Sequence, residues 1–407
     1  MTDIPTPGRL TEVVRNRRPE EAITFLAQYD TAARRKLSNA AVELFAADIE
    51  AYFKSPSPAS LRKPDAARVA VLATGSRDQV ISCDWHIVPE PQLLIEVFDT
   101  FQPEWADDWV QHVLDDNPYI MRHLHWLWEV GLCERPRSDS FFHGLIVTPV
   151  FLHWPVEASD RRATPALNDP RLTTTPAKQT ELVSDLWRLF DVKGRGEFSL
   201  GYLDQGLAWR RDFMELCEAG YMPREDLMDA CLAALRRDFN QPEARCFARL
   251  YSDLKPTSEE QHTRREILLA LMGSDLASTV SFAVKAVKQL NKAYPLPAAD
   301  LIEALKPAFS APDKGTPTAA IRLVRDAVKR MPKTRQAAIS AMLQGLRHKN
   351  EDVQGAALKA LENWYVDISP AALQVLHEVL PDLPRHLEER ALALSNSVGV
   401  GANAPAR

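Results

Sequence analysis

The sequence predicts an all-α fold: an α-solenoid of helical hairpins behind an irregular helical N-terminal half. Three observations predict it. Apolar residues recur at three- and four-residue spacing over most of the chain. From Asp226 to Pro384, turn residues interrupt that pattern every 15 to 20 positions. The same segment aligns with itself when shifted by 37 residues.

The elements follow in chain order. Residues 10 to 53 read as two helical stretches, LTEVVRN–PEEAITFLAQY and ARRKLSNAAVELFAADIEAYF. SPSPASLRKP (55–64) is a loop signal. Apolar helical patches rich in tryptophan then run from Ala66 to Leu152 and include Trp85, Trp105, Trp109, Trp126 and Trp128. Residues 1–153 are thus expected to form an irregular helical domain. Residues 154–180 lack periodicity and are rich in Pro, Thr, Asp and Arg, which predicts a loop or linker. A connecting helix and turn are expected over 181–204, and the repeat array over 205–385. A C-terminal helix end and a disordered tail complete the chain at 386–407.

The repeat is carried by five columns. They read Phe213, Leu250, Val287, Val324, Leu361; Cys231, Leu268, Leu305, Met342, Val379; and Leu235, Met272, Phe309, Leu346, Leu383. The other two are Met228, Arg265, Ile302, Ile339, Leu376 and Arg210, Phe247, Val284, Ile321, Leu358. Of these 25 positions 23 are apolar, and only Arg210 and Arg265 break the pattern. Val284 with Val287 on a first helix, and Ile302, Leu305 and Phe309 on a second, share one face of a 3.6-residue helix. A hairpin with one apolar face can bury it only against its neighbours, so such units stack. About five units are expected, from near Gln205 to near Leu383.

HKNEDVQGAALKALENW, from His348, resembles the first helix of a HEAT repeat, with Asp352, Val353, Ala356, Ala357, Leu358 and Leu361 at the matching positions. The column Ala283, Ala320, Ala357 supplies the small residues that close packing in a HEAT-like unit needs. The wider order HLHWLWEVGLCERPRSDSFFHGLI, LWRLFDVKGRGEFSL, LMDACLAALRRDF is similar to an uncharacterised bacterial family, a domain of unknown function with HEAT-like repeats. The resemblance covers roughly residues 10 to 385. It implies genes lying near those for SWIM zinc-finger proteins, MoxR-type ATPases and von Willebrand A-type proteins, and it carries no catalytic residues. Members are usually longer, so a short member or a missing C-terminal part is expected.

Composition narrows the function classes. The chain of 407 residues is 45% hydrophobic and 26% charged with net charge −6, the balance of a folded soluble protein. The longest apolar runs, near Leu145–Leu152 and Ile267–Met272, are too short to span a bilayer. MTDIPTPGRL has no basic stretch followed by an apolar one, so no secretory signal is expected there. Cys83, Cys133, Cys217, Cys231 and Cys246 have no zinc or thioredoxin-like spacing and fit reduced thiols in a cytoplasm.

No HExxH, Walker A, GxSxG or strand-borne GxGxxG motif occurs. FDVKGRGEFSLGYLD resembles a calcium loop starting at Asp191. However, Lys193 and Arg195 occupy ligand positions and Tyr202 stands where a bidentate Glu is required. A plain turn with glycines at left-handed positions is the expectation. His123 and His125 lie on different helix faces, and His112, His143 or His153 would have to complete any metal site. The tryptophans are expected in packing. No cofactor and no metal site is predicted.

One charge pattern follows the repeat. Between Ala283 and Glu362 there are 14 Lys/Arg against seven Asp/Glu, +7 in an acidic chain. Lys285, Arg322 and Lys359 share a column; Lys288 and Arg325 share the next, broken by Glu362; Lys292 and Lys329 share a third. Stacked units would line them into a basic ridge able to attract an acidic protein or a phosphate backbone. In HEAT arrays first helices usually form the convex side, whereas partners more often occupy the concave one. The expected function is a non-enzymatic scaffold binding a protein partner, by resemblance an ATPase or von Willebrand A-type assembly. The alternatives are a nucleic-acid-binding array using the ridge, and an enzyme with a site in the Trp/His-rich half.

Overall fold

A computed structural model describes residues 5–16, 18–54, 65–147, 171, 175–196, 198–202 and 209–402. Among these residues the fold is helical and contains no strand; one isolated bridge joins Arg195 and Phe198. The chain divides into two compact units, residues 1–207 and 208–407. No described helix is long and apolar enough to cross a membrane.

The first unit contains α1 (Pro7–Arg15), α2 (Pro19–Leu26), α3 (Thr31–Arg35), α4 (Ser38–Lys54), α5 (Asp65–Thr74) and α6 (Arg77–Ile81). It continues with α7 (Pro91–Phe101), α8 (Ala106–Asp116), α9 (Met121–Glu129), α10 (Asp139–Val147) and α11 (Pro176–Arg188). The two helical stretches expected over 10–53 are four helices, because Asp30 caps α3 through the Ala33 N–H and a further turn separates α3 from α4. Helix α5 is buried on every side from Ala66 to Thr74 and packs against α1, α2, α3, α4 and α7. A helix apolar all round belongs inside a core, not on its surface. Helix α11 starts five residues inside the predicted linker, where Thr175 caps it and Pro176 opens it. Most of 154–180, with Trp154 and His153, lies outside the described residues.

The second unit contains α12 (Trp209–Glu218), α13 (Arg224–Ala234), α14 (Gln241–Asp253), α15 (Ser258–Thr263), α16 (Arg265–Ala270) and α17 (Ala277–Ala293). Then come α18 (Ala298–Leu305), α19 (Gly315–Arg330), α20 (Arg335–Leu346), α21 (Glu351–Glu362), α22 (Pro370–Val379) and α23 (Arg385–Ala402). Helices α12, α14, α17, α19, α21 and α23 pack on one another in succession. Helices α16, α18, α20 and α22 form a second such series, and each also packs against at least one helix of the first. All 23 apolar column residues are buried. The two arginines that break the columns are half-buried, and their long stems let the guanidinium reach the surface. Arg210 ion-pairs with Asp253, and Arg265 donates to the His262 carbonyl.

Polar bonds join residues about one period apart. Arg224 grips Glu260 at 3.0 and 3.2 Å, and Arg264 reaches Asp229 at 2.5 Å. The His348 Nε2–H donates to the Ala311 carbonyl, 37 residues earlier, at 3.0 Å, while its Nδ1 accepts from the Asn350 N–H at 2.9 Å. These bonds fix a neutral imidazole in one tautomer. The tail departs from expectation. Helix α23 runs through SNSVGVGA to Ala402, with Leu387, Ala391, Leu394 and Ser395 buried. Among its contacts is a bond between His377 Nε2 and Ser395 Oγ at 2.6 Å, which holds a polar side chain on the buried side. The array's predicted start at Gln205, and residues 403–407, lie outside the described residues.

Candidate interaction surface

Helices α17, α19 and α21 carry the predicted basic residues. Each helix turns its buried stripe inward, with Ala283, Ala320 and Ala357 fully buried. The charged positions alternate with that stripe and therefore face outward. Lys285, Lys292, Arg322, Lys329 and Lys359 are exposed, and Lys288 and Arg325 are half-buried. Lys285, Lys288 and Lys292 fall within α17, a helix with no acidic residue. Arg322, Arg325 and Lys329 fall within α19, where Asp326 lies 3.7 Å from Lys329. Both members of that pair are well exposed, so it holds little energy.

The third helix differs. On α21, Lys359 is the only basic residue, and Glu362 stands where Lys288 and Arg325 stand earlier. Arg390 of α23 grips Glu362 with two bonds of 3.0 and 2.8 Å, and this raises the Arg390 pKa. Lys314 likewise ion-pairs with Asp352 at the start of α21. The ridge expected across three helices is therefore concentrated on two. Arg330 is absent from it, since it donates to the Leu296 carbonyl and to Asn291.

Sequence columns missed one exposed pair at the ends of these helices. Tyr294 and Met331 follow the last turns of α17 and α19, are 37 residues apart, and remain exposed at 37% and 38%. Their shared register was visible, but helix patterns stop short of both. Tyr294 also stacks on His262 with ring centres 4.6 Å apart.

The first-half candidates are placed in packing. Trp85 meets Trp109 edge-on at 5.1 Å, Phe98 contacts both Trp105 and Trp109, and Phe45 lies 5.2 Å from Trp85. The indole N–H of Trp85 donates to the Val80 carbonyl and that of Trp105 to the Gly75 carbonyl. His125 is buried, and its Nδ1–H donates to the Met121 carbonyl at 3.1 Å. Among the described residues no group of three His, Cys, Asp or Glu side chains is placed to hold a metal ion.

The calcium-like segment forms a tight turn. Arg195 and Phe198 exchange backbone bonds of 3.2 and 3.0 Å, and of the segment's three glycines Gly196 alone takes a left-handed φ, +58°. Gly194 is not left-handed. The turn edges a cleft of about 680 Å³ lined by Asp115, Asp116, Ser140, His143, Arg195 and Tyr202. His143 is committed there to the Lys193 carbonyl at 3.1 Å. All five cysteines are free, and burial pushes the Cys83 and Cys133 thiols up to about 11 and about 12.

Comparison with known proteins gives one match. A family model described as "Domain of unknown function (DUF6493)" covers residues 6–315, shorter at its C-terminal end than the stretch to 385 that the resemblance suggested. It includes Lys285, Lys288 and Lys292 and ends where α19 begins, ahead of Arg322, Arg325, Lys329 and Lys359. No curated protein and no solved structure matches. The match spans most of the chain, which therefore belongs to this family of unknown function.

Proposed function

We propose that the second unit is a HEAT-like α-solenoid acting as a non-enzymatic scaffold, and that it binds a protein partner through the cationic faces of its first helices. The observation that carries this reading is the disposition of charge. Lys285, Lys288, Lys292, Arg322 and Arg325 occupy outward positions on successive packed helices with no ion pair to any described residue. Charges held in register and not spent on internal pairs favour encounter with an oppositely charged surface. The resemblance adds a MoxR-type ATPase or von Willebrand A-type assembly as the partner. Five free cysteines support a reducing, cytoplasmic compartment.

The nucleic-acid alternative rests on the same cations and makes a separate prediction, a steep loss of affinity with salt. Mass photometry of the protein purified from its native host tests the scaffold. A stoichiometric complex with a second polypeptide is expected. A bare monomer with bound nucleic acid, or a bare monomer alone, contradicts it.

A further inference from the structure

We infer that the paired faces of α17 and α19 dock an acidic helix of the partner, with carboxylates at i, i+3 and i+7. This rests on the scaffold reading above and narrows it to two helices and one partner chemistry.

The spacing comes first. Lys285, Lys288 and Lys292 stand at i, i+3 and i+7 on α17, and Arg322, Arg325 and Lys329 repeat that spacing on α19. At a rise of 1.5 Å per residue each row is about 10 Å long. Packed helices lie roughly 8–10 Å apart, so the six cations occupy a patch of about 10 by 10 Å. A helix laid along the groove between the two rows presents carboxylates at the same interval, so several pairs form in one register. Multiple charge-assisted bonds give specificity that an isolated surface pair does not.

The boundary of the patch argues for a short partner element. On α21 the row ends, since Glu362 takes the place of a third cation and is itself held by Arg390. The second unit outside Ala283–Glu362 carries −3 over residues 208–282 and −2 over 363–407, against +7 within it. A nucleic-acid duplex bears one charge per about 1.7 Å of axis and extends well past a patch of this size. It would run past the two rows onto α21, with its Glu351, Asp352 and Glu362, whereas a single acidic helix need not.

The test is fluorescence anisotropy on the full chain with three probes. These are a synthetic helix with Glu at i, i+3 and i+7, a scrambled peptide of equal composition, and a 20-base-pair DNA duplex. The unscrambled peptide is expected to bind best. Its affinity should fall tenfold or more in the triple variant K285E/K288E/R322E, and less than threefold in K359E. Circular dichroism checks that both variants stay folded. Equal binding of the scrambled peptide, tighter binding of DNA, an equal effect of K359E, or no peptide binding by the wild type overturns the inference. A native partner retained by both wild type and triple variant would sink this assignment and leave the scaffold reading standing. No native partner on the wild type would sink the scaffold reading itself.

Discussion

Gly345 of α20 sits where a Cβ would come within 3.1 Å of Ala357 Cβ and 3.2 Å of the Phe309 ring. Residues of α20, α21 and the turn after α18 meet at that point, and the close approach is possible because Gly345 and Ala357 are small. Replacing Ala357 with Leu inserts a branched side chain into a packed interior, and overpacking of this kind costs about 1–3 kcal/mol. Urea unfolding of Ala357→Leu should show that loss, and an unchanged midpoint would mean that the helices are not in close contact. Asp185 of α11 poses a different question. Burial pushes its carboxyl up to about 6, outweighing the neighbouring Arg135 guanidinium that pulls it down. A folded-state value above the unfolded one makes the ionised form costly, so stability drains away as pH rises through 6. The Tm of the wild type relative to Asp185→Asn should therefore climb as pH drops from 7.5 to 5. A flat difference would show that Arg135 compensates the buried charge fully.

Individual helices differ in how far the sequence announces them. Columns such as Ala283, Ala320, Ala357 were legible because burial on one helical face repeats at a fixed interval and no other constraint disturbs it. Helix α23 was legible only at its start, where Leu387, Ala391 and Leu394 keep an apolar spacing; the segment SNSVGVGA that follows is rich in Ser, Gly and Val, residues of low helix propensity. The ridge was legible as columns of charge, but the loss of its third member was only half visible. Glu362 stands in the column, whereas the arginine that neutralises it comes from 28 residues downstream, off the register. Helix α15 shows how a start signal is reused between units. Thr257 and Glu260 form a reciprocal capping box, and the same Glu260 carboxylate accepts both bonds from Arg224 at the start of α13. The Arg224 bonds, joined by the Thr257 N–H, lower its pKa to about 2. A depressed folded value means that its contribution is present above the ordinary carboxylate range and is lost as pH falls toward 2. The Tm deficit of Arg224→Ala should accordingly be largest near neutrality and shrink between pH 5 and 2. A deficit independent of pH would assign the role of Arg224 to packing alone.

At the scale of the whole molecule, the register itself is open to test. If the units are interchangeable modules with nearest-neighbour interfaces, deleting residues 284–320 removes one period and rejoins matching faces. Such a variant should unfold cooperatively at a modestly lower temperature. An off-register deletion of residues 284–311 should lose cooperative unfolding, because it turns apolar faces to solvent. Equal damage from the two deletions would mean that the period has no structural meaning. The proposed binding depends on that register, which gives Lys285 and Arg322, and Lys288 and Arg325, equivalent positions on two packed helices. The most direct measurement of the central claim is quantitative mass spectrometry of proteins co-purified from the native host with the tagged wild type and with K285E/K288E/R322E. The account predicts one acidic protein enriched in near-stoichiometric amount with the wild type and depleted at least tenfold with the variant. Identical recovery with both chains would contradict it.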